Sequence, residues 1–214
     1  MDRQEVLRFL GYPAERPRNG SVSSMIDNEI AEAYSLIDPF YHRSLVAIEH
    51  VRDPEVTLED GLVLTSSILS RILCHCSHIA VFVATIGPRL EERVTELMSD
   101  GEMLKGAVLD AVGSEAVERA ICHAQDRIAD IAAARGNEIT LRYSPGYCDW
   151  DICQQRVLFQ IMDSAQAEVC LSDECLMTPR KSVSGIIGLG DCETYQLSLS
   201  ACLDCTRKDC PIRR

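Results

Sequence analysis

HIAVFVATIG, residues 78–87, is a nearly continuous apolar run that ends at a Gly-Pro pair, Gly87 and Pro88. It is too short to span a bilayer, which takes about 20 residues, and it is rich in β-branched side chains. A run of this length and composition is typical of a strand that is buried on both faces. The sequence therefore predicts a central strand here, and the other elements are placed around it.

Helices are predicted on both sides of this strand along the chain. Pro88 suits the first position of a short helix, and a long helix follows over about 102–134, with a broad apolar stripe that includes Leu104. A further amphipathic helix is predicted over 151–163, with Ile152 among its inward residues. Shorter helical patterns cover residues 2–10, 23–37 and 65–74.

Alternating apolar residues predict strands in the remaining segments. They lie at 44–64 as a hairpin or meander, at 138–143, near 174–178, at 183–189 and at 194–200. This order favours the α+β class, with a mixed or antiparallel sheet packed against the long helix. We expect one domain over 1–214, with a helical N-terminal portion (1–43), an α+β core (44–200) and a cysteine-rich tail (201–214).

The charge of the chain narrows the classes of partner. Its formal net charge is −12, and its one basic run is the C-terminal segment TRKDCPIRR. Nucleic-acid-binding proteins usually carry a basic patch, so no nucleic-acid partner is expected. No apolar run reaches bilayer length, and the first residues alternate charged and apolar groups, unlike a signal peptide. We therefore expect no membrane partner and a cytoplasmic location.

The loop LRYSPGYCDWD, residues 141–151, holds the candidate binding residues. Pro145 fixes φ and Gly146 permits a positive φ, so SPGY predicts a type II turn. Arg142 carries a guanidinium fork suited to a carboxylate, and Tyr147 offers a flat ring and a hydroxyl. The same residues also fit a surface turn with an arginine in an ordinary ion pair.

Four segments resemble, in order, the activation domain of cobalamin-dependent methionine synthase. LRYSPGY is similar to the Arg-x-x-Pro-Gly-Tyr loop of that family. AVFVATIG resembles its central strand, LDAVGSEAVERA its long helix, and LSDECLMTPRKSVSG its segment that ends in Ser-Val-Ser-Gly. The resemblance covers about residues 75–200.

The resemblance implies a site for S-adenosylmethionine. Arg142 would meet the carboxylate of this ligand, Glu115 would lie close to its amino group, and Tyr147 would lie near the corrin face. Glu115 also fits a solvent-facing glutamate on the long helix. The implied binding residues are Glu115, Arg142, Tyr143, Ser144, Pro145, Gly146, Tyr147 and Tyr195.

The resemblance also implies an accessory function. A protein of this family binds S-adenosylmethionine and supports the reductive methylation that reactivates a corrinoid. The chain has no Asp-x-His-x-x-Gly stretch, so the cobalamin would be held by a partner corrinoid protein or methyltransferase. No complete methyltransferase active site is expected in this chain, which resembles the short, free-standing activation subunits.

The chain departs from the family pattern in two places. CDWDICQQ follows the turn, so Cys148 and Trp150 are new side chains beside the corrin-facing position. Arg180 and Lys181 stand where the synthase has a neutral stretch.

Eleven cysteines suggest metal or cluster chemistry in a reducing compartment. The tail has the spacing C-x2-C-x4-C, at Cys202, Cys205 and Cys210, which suits a [4Fe–4S] cluster or zinc with Cys148 as a fourth ligand. Cys153 and Cys192 are other candidates for that position, and free thiols are the alternative. Core packing is predicted for three cysteines in apolar patterns, Cys74, Cys122 and Cys170.

Two other functions fit the sequence. One is a metal- or cluster-containing binding module that kept the fold and lost S-adenosylmethionine. The other is an enzyme with Cys148 or Cys153 as nucleophile, although no histidine lies nearby in sequence to activate either thiol.

Overall fold

The computed structural model describes residues 1–12, 20–162 and 168–191. The helices in these ranges are α1 (Arg3–Phe9), α2 (Gly20–Leu36), α3 (Ser67–Ile72), α4 (Arg89–Ser99), α5 (Met103–Ala133) and α6 (Gln155–Ile161), with a 3-10 turn, η1 (Ile152–Gln154), before α6. The strands are β1 (Phe40–Arg52), β2 (Glu55–Leu58), β3 (Val63–Thr65), β4 (Cys76–Thr85), β5 (Glu138–Ile139), β6 (Cys170–Leu171), β7 (Met177–Thr178) and β8 (Ser182–Gly190).

Within the described ranges, one antiparallel sheet has the strand order β3-β2-β1-β4-β8-β5. Its centre is β4, which pairs with β1 on one side and with β8 on the other. A small second sheet joins β6 to β7. The apolar run predicted as a central strand is therefore confirmed.

The side chains of β4 are buried on both faces of the sheet. Residues 79–84 are all fully inaccessible to solvent. Phe82 and its even-numbered neighbours pack against Ile121 and Ile128 of α5, while the odd-numbered residues pack on the opposite face. This burial explains why the run is apolar without an alternating pattern.

The first face of the sheet is covered by a helical layer. α5 lies across the sheet, and α1, α2 and α4 pack against α5. Gly106 and Gly113 of α5 allow α4 to approach closely, because an added Cβ would lie 2.9 Å from Met98 Cγ and 2.6 Å from Leu90 Cδ2 respectively. On the opposite face, α3, α6 and the loop after β5 complete a second apolar layer.

The structure corrects several predictions made from local patterns. Leu104 is 51% exposed at the start of α5, and Ile152 is 39% exposed in η1, so neither faces the core. Pro88 is the N-cap of α4, one position before the predicted one. Cys74, Cys122 and Cys170 are all exposed, and Cys175 is the buried cysteine among the described ones. The strand predicted at 194–200 lies outside the described residues.

Among the described residues, no helix is both long enough and apolar enough to cross a bilayer.

Glu29 of α2 is a buried carboxyl with one unpaired oxygen. Its side chain is 4% exposed, and its Oε2 atom has no hydrogen-bond partner within the described residues. Burial, and then the charge of Glu32, raise the pKa of Glu29 above its ordinary value of 4.5. The ionised form is therefore disfavoured in the folded state.

We expect Glu29→Gln to raise the free energy of unfolding at neutral pH by up to about 1 kcal/mol. Because the folded pKa is raised, the contribution of Glu29 to stability is complete below pH 4.5 and is lost as the pH rises through the folded pKa. The advantage of the variant should therefore shrink in acid. Urea unfolding between pH 4 and pH 8 measures it, and a difference that is independent of pH would contradict this explanation.

Candidate functional site

The segment after α5 follows β8 to the start of the candidate loop. Thr140 donates its backbone N–H to Gly188 O at 3.0 Å, and Tyr143 and Ile186 exchange backbone hydrogen bonds of 3.0 and 2.8 Å. The predicted strand 138–143 is therefore an interrupted edge strand, with β5 at its start and a bridge at Tyr143. This pairing brings Ser144 and the Pro-Gly turn alongside the middle of β8.

The predicted turn is present at residues 144–147. Tyr147 N–H donates to Ser144 O at 3.2 Å, and Gly146 has a φ of +94°, as the third position of a type II turn requires. Gly146 N–H also donates to Trp150 O at 2.8 Å, which folds the following residues back over the turn. The backbone of the turn is thus held on both sides.

Trp150 anchors this loop in the apolar core. Its side chain is 2% exposed and packs within the layer formed by α3 and α6. Trp150 was expected beside the corrin-facing position, but its indole is buried and is not available to a ligand at the surface. Cys148, its neighbour, is half-buried against the same layer, with a φ of +54°.

Asp149 ties the loop to the N-terminus of α3. Its carboxylate accepts hydrogen bonds from Ser66 Oγ at 2.7 Å and from the backbone N–H of Ser67 at 2.7 Å. Burial alone would raise the pKa of Asp149, but these hydrogen bonds, together with one from Ile68 N–H, outweigh it and lower the pKa below 3.8. The loop is therefore fixed at one end by a charged cap and at the other by the β8 pairing.

We expect Asp149→Asn to lower the free energy of unfolding at neutral pH by about 1–2 kcal/mol, the usual effect of weakening a charged cap. The folded pKa is lowered, so this stabilisation is present above pH 3.8 and is lost as the pH falls through the folded pKa. Urea unfolding from pH 7 to pH 3 measures the difference. Asp126→Asn, at an exposed position of α5, is the control, and an equal effect of both variants would refute the cap.

Arg142 points back to α5 instead of into bulk solvent. Its Nη2 atom donates to Glu118 Oε2, and the two side chains are 27% and 33% exposed. Its Nη1 atom is buried and has no hydrogen-bond partner within the described residues. A buried guanidinium nitrogen without an acceptor is costly, so this nitrogen is suited to an anionic oxygen as its acceptor.

Glu115 lies one turn before Glu118 on α5 and is 3% exposed. Its Oε1 atom accepts hydrogen bonds of 2.9 Å from the backbone N–H of Asp2 and from Arg119 Nε. Glu115 is therefore not the solvent-facing glutamate of the alternative interpretation. It joins the start of α1 to α5, one helical turn before Glu118.

A second cation, Lys181 just before β8, also reaches α5. Lys181 Nζ lies 2.8 Å from Asp110 Oδ1 and 2.9 Å from Ser114 Oγ. Asp110, Ser114 and Glu118 are spaced by four residues and share one face of the helix. Sequence reasoning did not select Asp110 or Glu118, although this spacing opposite two basic residues was the available signal.

Gly185 of β8 allows the loop to lie close to the sheet. A Cβ added there would be 2.3 Å from Tyr143 O, 2.9 Å from Phe82 Cζ and 3.0 Å from Ser144 Oγ. A side chain at this position would displace the backbone that carries Arg142 and the turn.

An exposed apolar corner lies at the tip of the loop. Tyr147 is 46% exposed and Ile152 is 39% exposed. Ile152 packs beside the turn, because its Cδ1 atom would lie 3.3 Å from a Cβ on Gly146. These side chains offer a flat, partly apolar surface beside the Pro-Gly turn.

Comparison with known families identifies this arrangement. The family described as "Vitamin B12 dependent methionine synthase, activation domain" matches residues 64–198. The chain belongs to this family. A solved structure described as the MetH reactivation domain bound to AdoHcy matches with a TM-score of 0.65 and 12% identity, over 88% of this chain and 74% of that one. A comparison with curated proteins found no match.

The family match covers the parts that form the site. It includes β4, α5, the Pro-Gly loop and β8, while α1 and α2 precede it. The structural similarity supports the antiparallel sheet and long helix as the fold of the activation domain. The resemblance proposed from the four sequence segments is therefore confirmed for the family and for the fold class.

Other predicted site residues lie outside the described ranges. These are Tyr195 and the tail cysteines Cys202, Cys205 and Cys210. Where the structure does describe the chain, no three His, Cys, Asp or Glu side chains are grouped to hold a metal ion. The tail cluster with Cys148 as its fourth ligand stays a prediction.

Proposed function

We propose that this protein binds S-adenosylmethionine between α5 and the Pro-Gly loop, and that it supports the reductive methylation of a corrinoid held by a partner. The family membership supports a role in activation. AdoHcy, which the similar solved domain binds, differs from S-adenosylmethionine by the methyl group on its sulfur. The proposal for this chain rests on its own residues, chiefly on Arg142.

The free Nη1 of Arg142 is the observation that carries the proposal. Glu118 occupies one side of the guanidinium, and the other side is buried without a protein acceptor in the described residues. A ligand carboxylate would accept a charge-assisted hydrogen bond there and would remove the cost of the unpaired donor. S-adenosylmethionine carries such a carboxylate at one end of its methionine portion.

The acidic residues of α5 suit the rest of this ligand. S-adenosylmethionine has an ammonium and a sulfonium beside its carboxylate, so it needs anionic groups as well as the arginine. Glu118 pairs with Arg142, and Glu115 is a second carboxylate one helical turn before it on α5. In this structure Glu115 already holds the Asp2 N–H and Arg119, so we assign it a mainly electrostatic effect on the ligand.

The exposed corner formed by Tyr147 and Ile152 fits the corrinoid side of the proposal. The ring of Tyr147 follows the turn directly and is accessible. A flat macrocycle on a partner would cover these exposed apolar side chains, and their removal from water would favour binding. Bound S-adenosylmethionine would supply the methyl group, while the residues of this chain bind it, orient it and present it at the corner.

A calorimetric titration of the reduced protein with S-adenosylmethionine tests the binding. We expect saturable binding at one site per chain and competition by AdoHcy. The corrinoid step is tested by adding a cobalamin-dependent methyltransferase with its inactive cobalamin and a one-electron donor, and by following methylcobalamin through its absorbance.

Two results would decide against the proposal. Absence of binding at millimolar ligand would exclude S-adenosylmethionine, and a metal or cluster found in the same protein would then favour the binding module that lost this ligand. Binding without any effect on a series of corrinoid partners would retain the ligand and reject the activation role.

A further inference from the structure

The sheet has an open edge beside the first half of β1. β2 pairs with β1 only from Ile48 to Arg52, although β1 begins at Phe40. On its other side, β1 pairs with β4 over residues 40–47 without interruption. Among the residues that the structure describes, this half of β1 therefore has a strand neighbour on one side only. The open side continues the line of β2, so it is a gap one strand wide.

A hydrogen bond at the end of this gap shows which residues face it. Backbone groups of successive residues in a strand point alternately to its two sides. Ala47 O accepts from Glu59 N–H at 3.0 Å, so Ala47 points away from β4. Every second residue before it does the same, namely Leu45, Arg43 and Tyr41. The backbone N–H and C=O groups of these three residues have no hydrogen-bond partner within the described part of the chain.

The opposite side of the sheet leads to the same assignment. Ile186 of β8 exchanges two backbone hydrogen bonds with Tyr143, so it points away from β4. The next residue, Ile187, therefore bonds to its partner in β4, which is Ala80. Since Ala80 points to β8, it does not bond to its partner in β1, which is Leu45. The backbone groups of Leu45 must then face the gap.

An open edge of this kind can accept a further strand. Unpaired N–H and C=O groups on alternate residues form a template for the addition of an extended peptide. Residues 40–47 contain no proline, and their register with β4 has no bulge. The five residues from Tyr41 to Leu45 span about 14 Å, which is the length of a short strand.

The side chains along the gap indicate which strand would fit. Tyr41 and Leu45 are half-buried against the α5 face of the sheet, and Arg43 lies between them on the same face. Arg43 is exposed, and it forms no ion pair with another described residue. A charge in the middle of an edge disfavours pairing with unrelated strands, so a suitable strand must neutralise it.

We propose that the Tyr41–Leu45 edge of β1 binds an extended segment of another protein, with an acidic residue opposite Arg43 and apolar residues two positions away on either side. The segment adds to the sheet as an antiparallel strand in line with β2. Its apolar side chains lie opposite Tyr41 and Leu45, because directly opposite residues of paired strands interact most closely. This interaction does not depend on binding of S-adenosylmethionine.

Two other occupants of the gap fit its charge less well. A second copy of this chain that paired through the same edge would place two copies of Arg43 opposite each other, and like charges in that position are destabilising. The alternating segment TYQLSLS of this chain, residues 194–200, has Leu197 at its centre and contains no acidic residue. Neither of them neutralises the guanidinium.

Amide hydrogen exchange in the free protein, resolved by NMR, tests whether the edge is open. We expect the amides of residues 41, 43 and 45 to exchange roughly 100-fold faster than those of residues 42 and 44, which bond to β4. Slow exchange at all five positions would mean that this chain covers its own edge. Protection that increases with protein concentration would mean that a second copy covers it. Either result overturns the proposal.

A synthetic peptide tests the occupant. The probe is Thr-Thr-Val-Thr-Glu-Thr-Val-Thr-Thr with blocked ends, and the control peptide has lysine in place of glutamate. We expect the probe to shift the amides of residues 41, 43 and 45 saturably, and the control to bind about fivefold more weakly. Arg43→Glu should reverse this preference. Arg135→Glu, an exposed position in the turn before β5 at the opposite edge of the sheet, should leave it unchanged.

Arg43→Pro tests the contribution of the backbone. Because the Arg43 N–H points into the gap, proline removes this donor and leaves the hydrogen bonds to β4 intact. Both peptides should lose their binding, while the slow exchange of residues 42 and 44 verifies the fold. The proposal is overturned if the wild-type protein binds neither peptide at millimolar concentration, or if it binds both equally. It is overturned equally if Arg43→Pro binds the probe as tightly as the wild-type protein.

Discussion

Gly185→Ala is expected to lower the free energy of unfolding by about 2–3 kcal/mol, the upper part of the range for overpacked sites. The added methyl carbon would lie 2.3 Å from the backbone oxygen of Tyr143, an atom that cannot move without its strand. It would also lie 2.9 Å from the Phe82 ring in the buried centre of the sheet. The clash therefore involves two parts of the core at once, and side-chain rotation cannot relieve it.

The matched control is Gly136→Ala. Gly136 has a positive φ of +71°, but a Cβ there meets no atom within 4 Å, so the change costs only backbone strain of about 1–2 kcal/mol. The expected cost of Gly185→Ala is a steric clash and not backbone strain. Thermal or urea unfolding compares the variants, and the close approach of the loop is refuted if Gly185→Ala costs less than Gly136→Ala. Ligand affinity should also fall in Gly185→Ala, since Tyr143 and Ser144 carry the turn.

Arg142→Ala is expected to weaken binding of S-adenosylmethionine by about 10- to 100-fold, the effect of losing one charge-assisted hydrogen bond. The variant also removes the buried nitrogen that has no acceptor among the described residues. We therefore expect the free energy of unfolding to fall by no more than the small contribution of the partly exposed ion pair with Glu118. The calorimetric titration measures the affinity, and circular dichroism verifies the fold.

Arg93→Ala provides the comparison for this variant. Arg93 also pairs with glutamates, at 2.8 Å from Glu32 and 3.2 Å from Glu96, but it lies on α4 away from the loop. Its loss should leave the affinity unchanged. Equal weakening by both variants would mean that the arginine acts through general charge or stability, and the assignment of Arg142 would fail.

The sequence was sufficient for the elements that a local pattern determines. The run at 78–87 is the central strand because burial on both faces leaves only apolar positions, and the long helix follows from its stripe. The SPGY turn was predictable because Pro145 and Gly146 restrict the backbone chemically. Such features depend on neighbours along the chain.

The features that the sequence did not reveal depend on partners far away along the chain. Arg142 could be identified as an anion-binding side chain, but its choice of Glu118 is set by the crossing of α5 over β8. Trp150 follows an exposed tyrosine, and only the packing of α3 and α6 shows that it is buried. Cys175 was not selected as buried, because its position depends on Gln155 and Arg156 of α6.

A thermodynamic cycle that varies both the ligand and the protein tests most directly whether Arg142 holds the carboxylate of the methyl donor. Calorimetry would measure S-adenosylmethionine and its decarboxylated analogue, each with the wild-type protein and with Arg142→Ala. We predict that the wild-type protein binds the complete ligand about 10- to 100-fold more tightly than the analogue, and that the variant binds both equally weakly. If the variant still prefers the complete ligand by the same factor as the wild-type protein, another group recognises the carboxylate, and the proposed site is wrong.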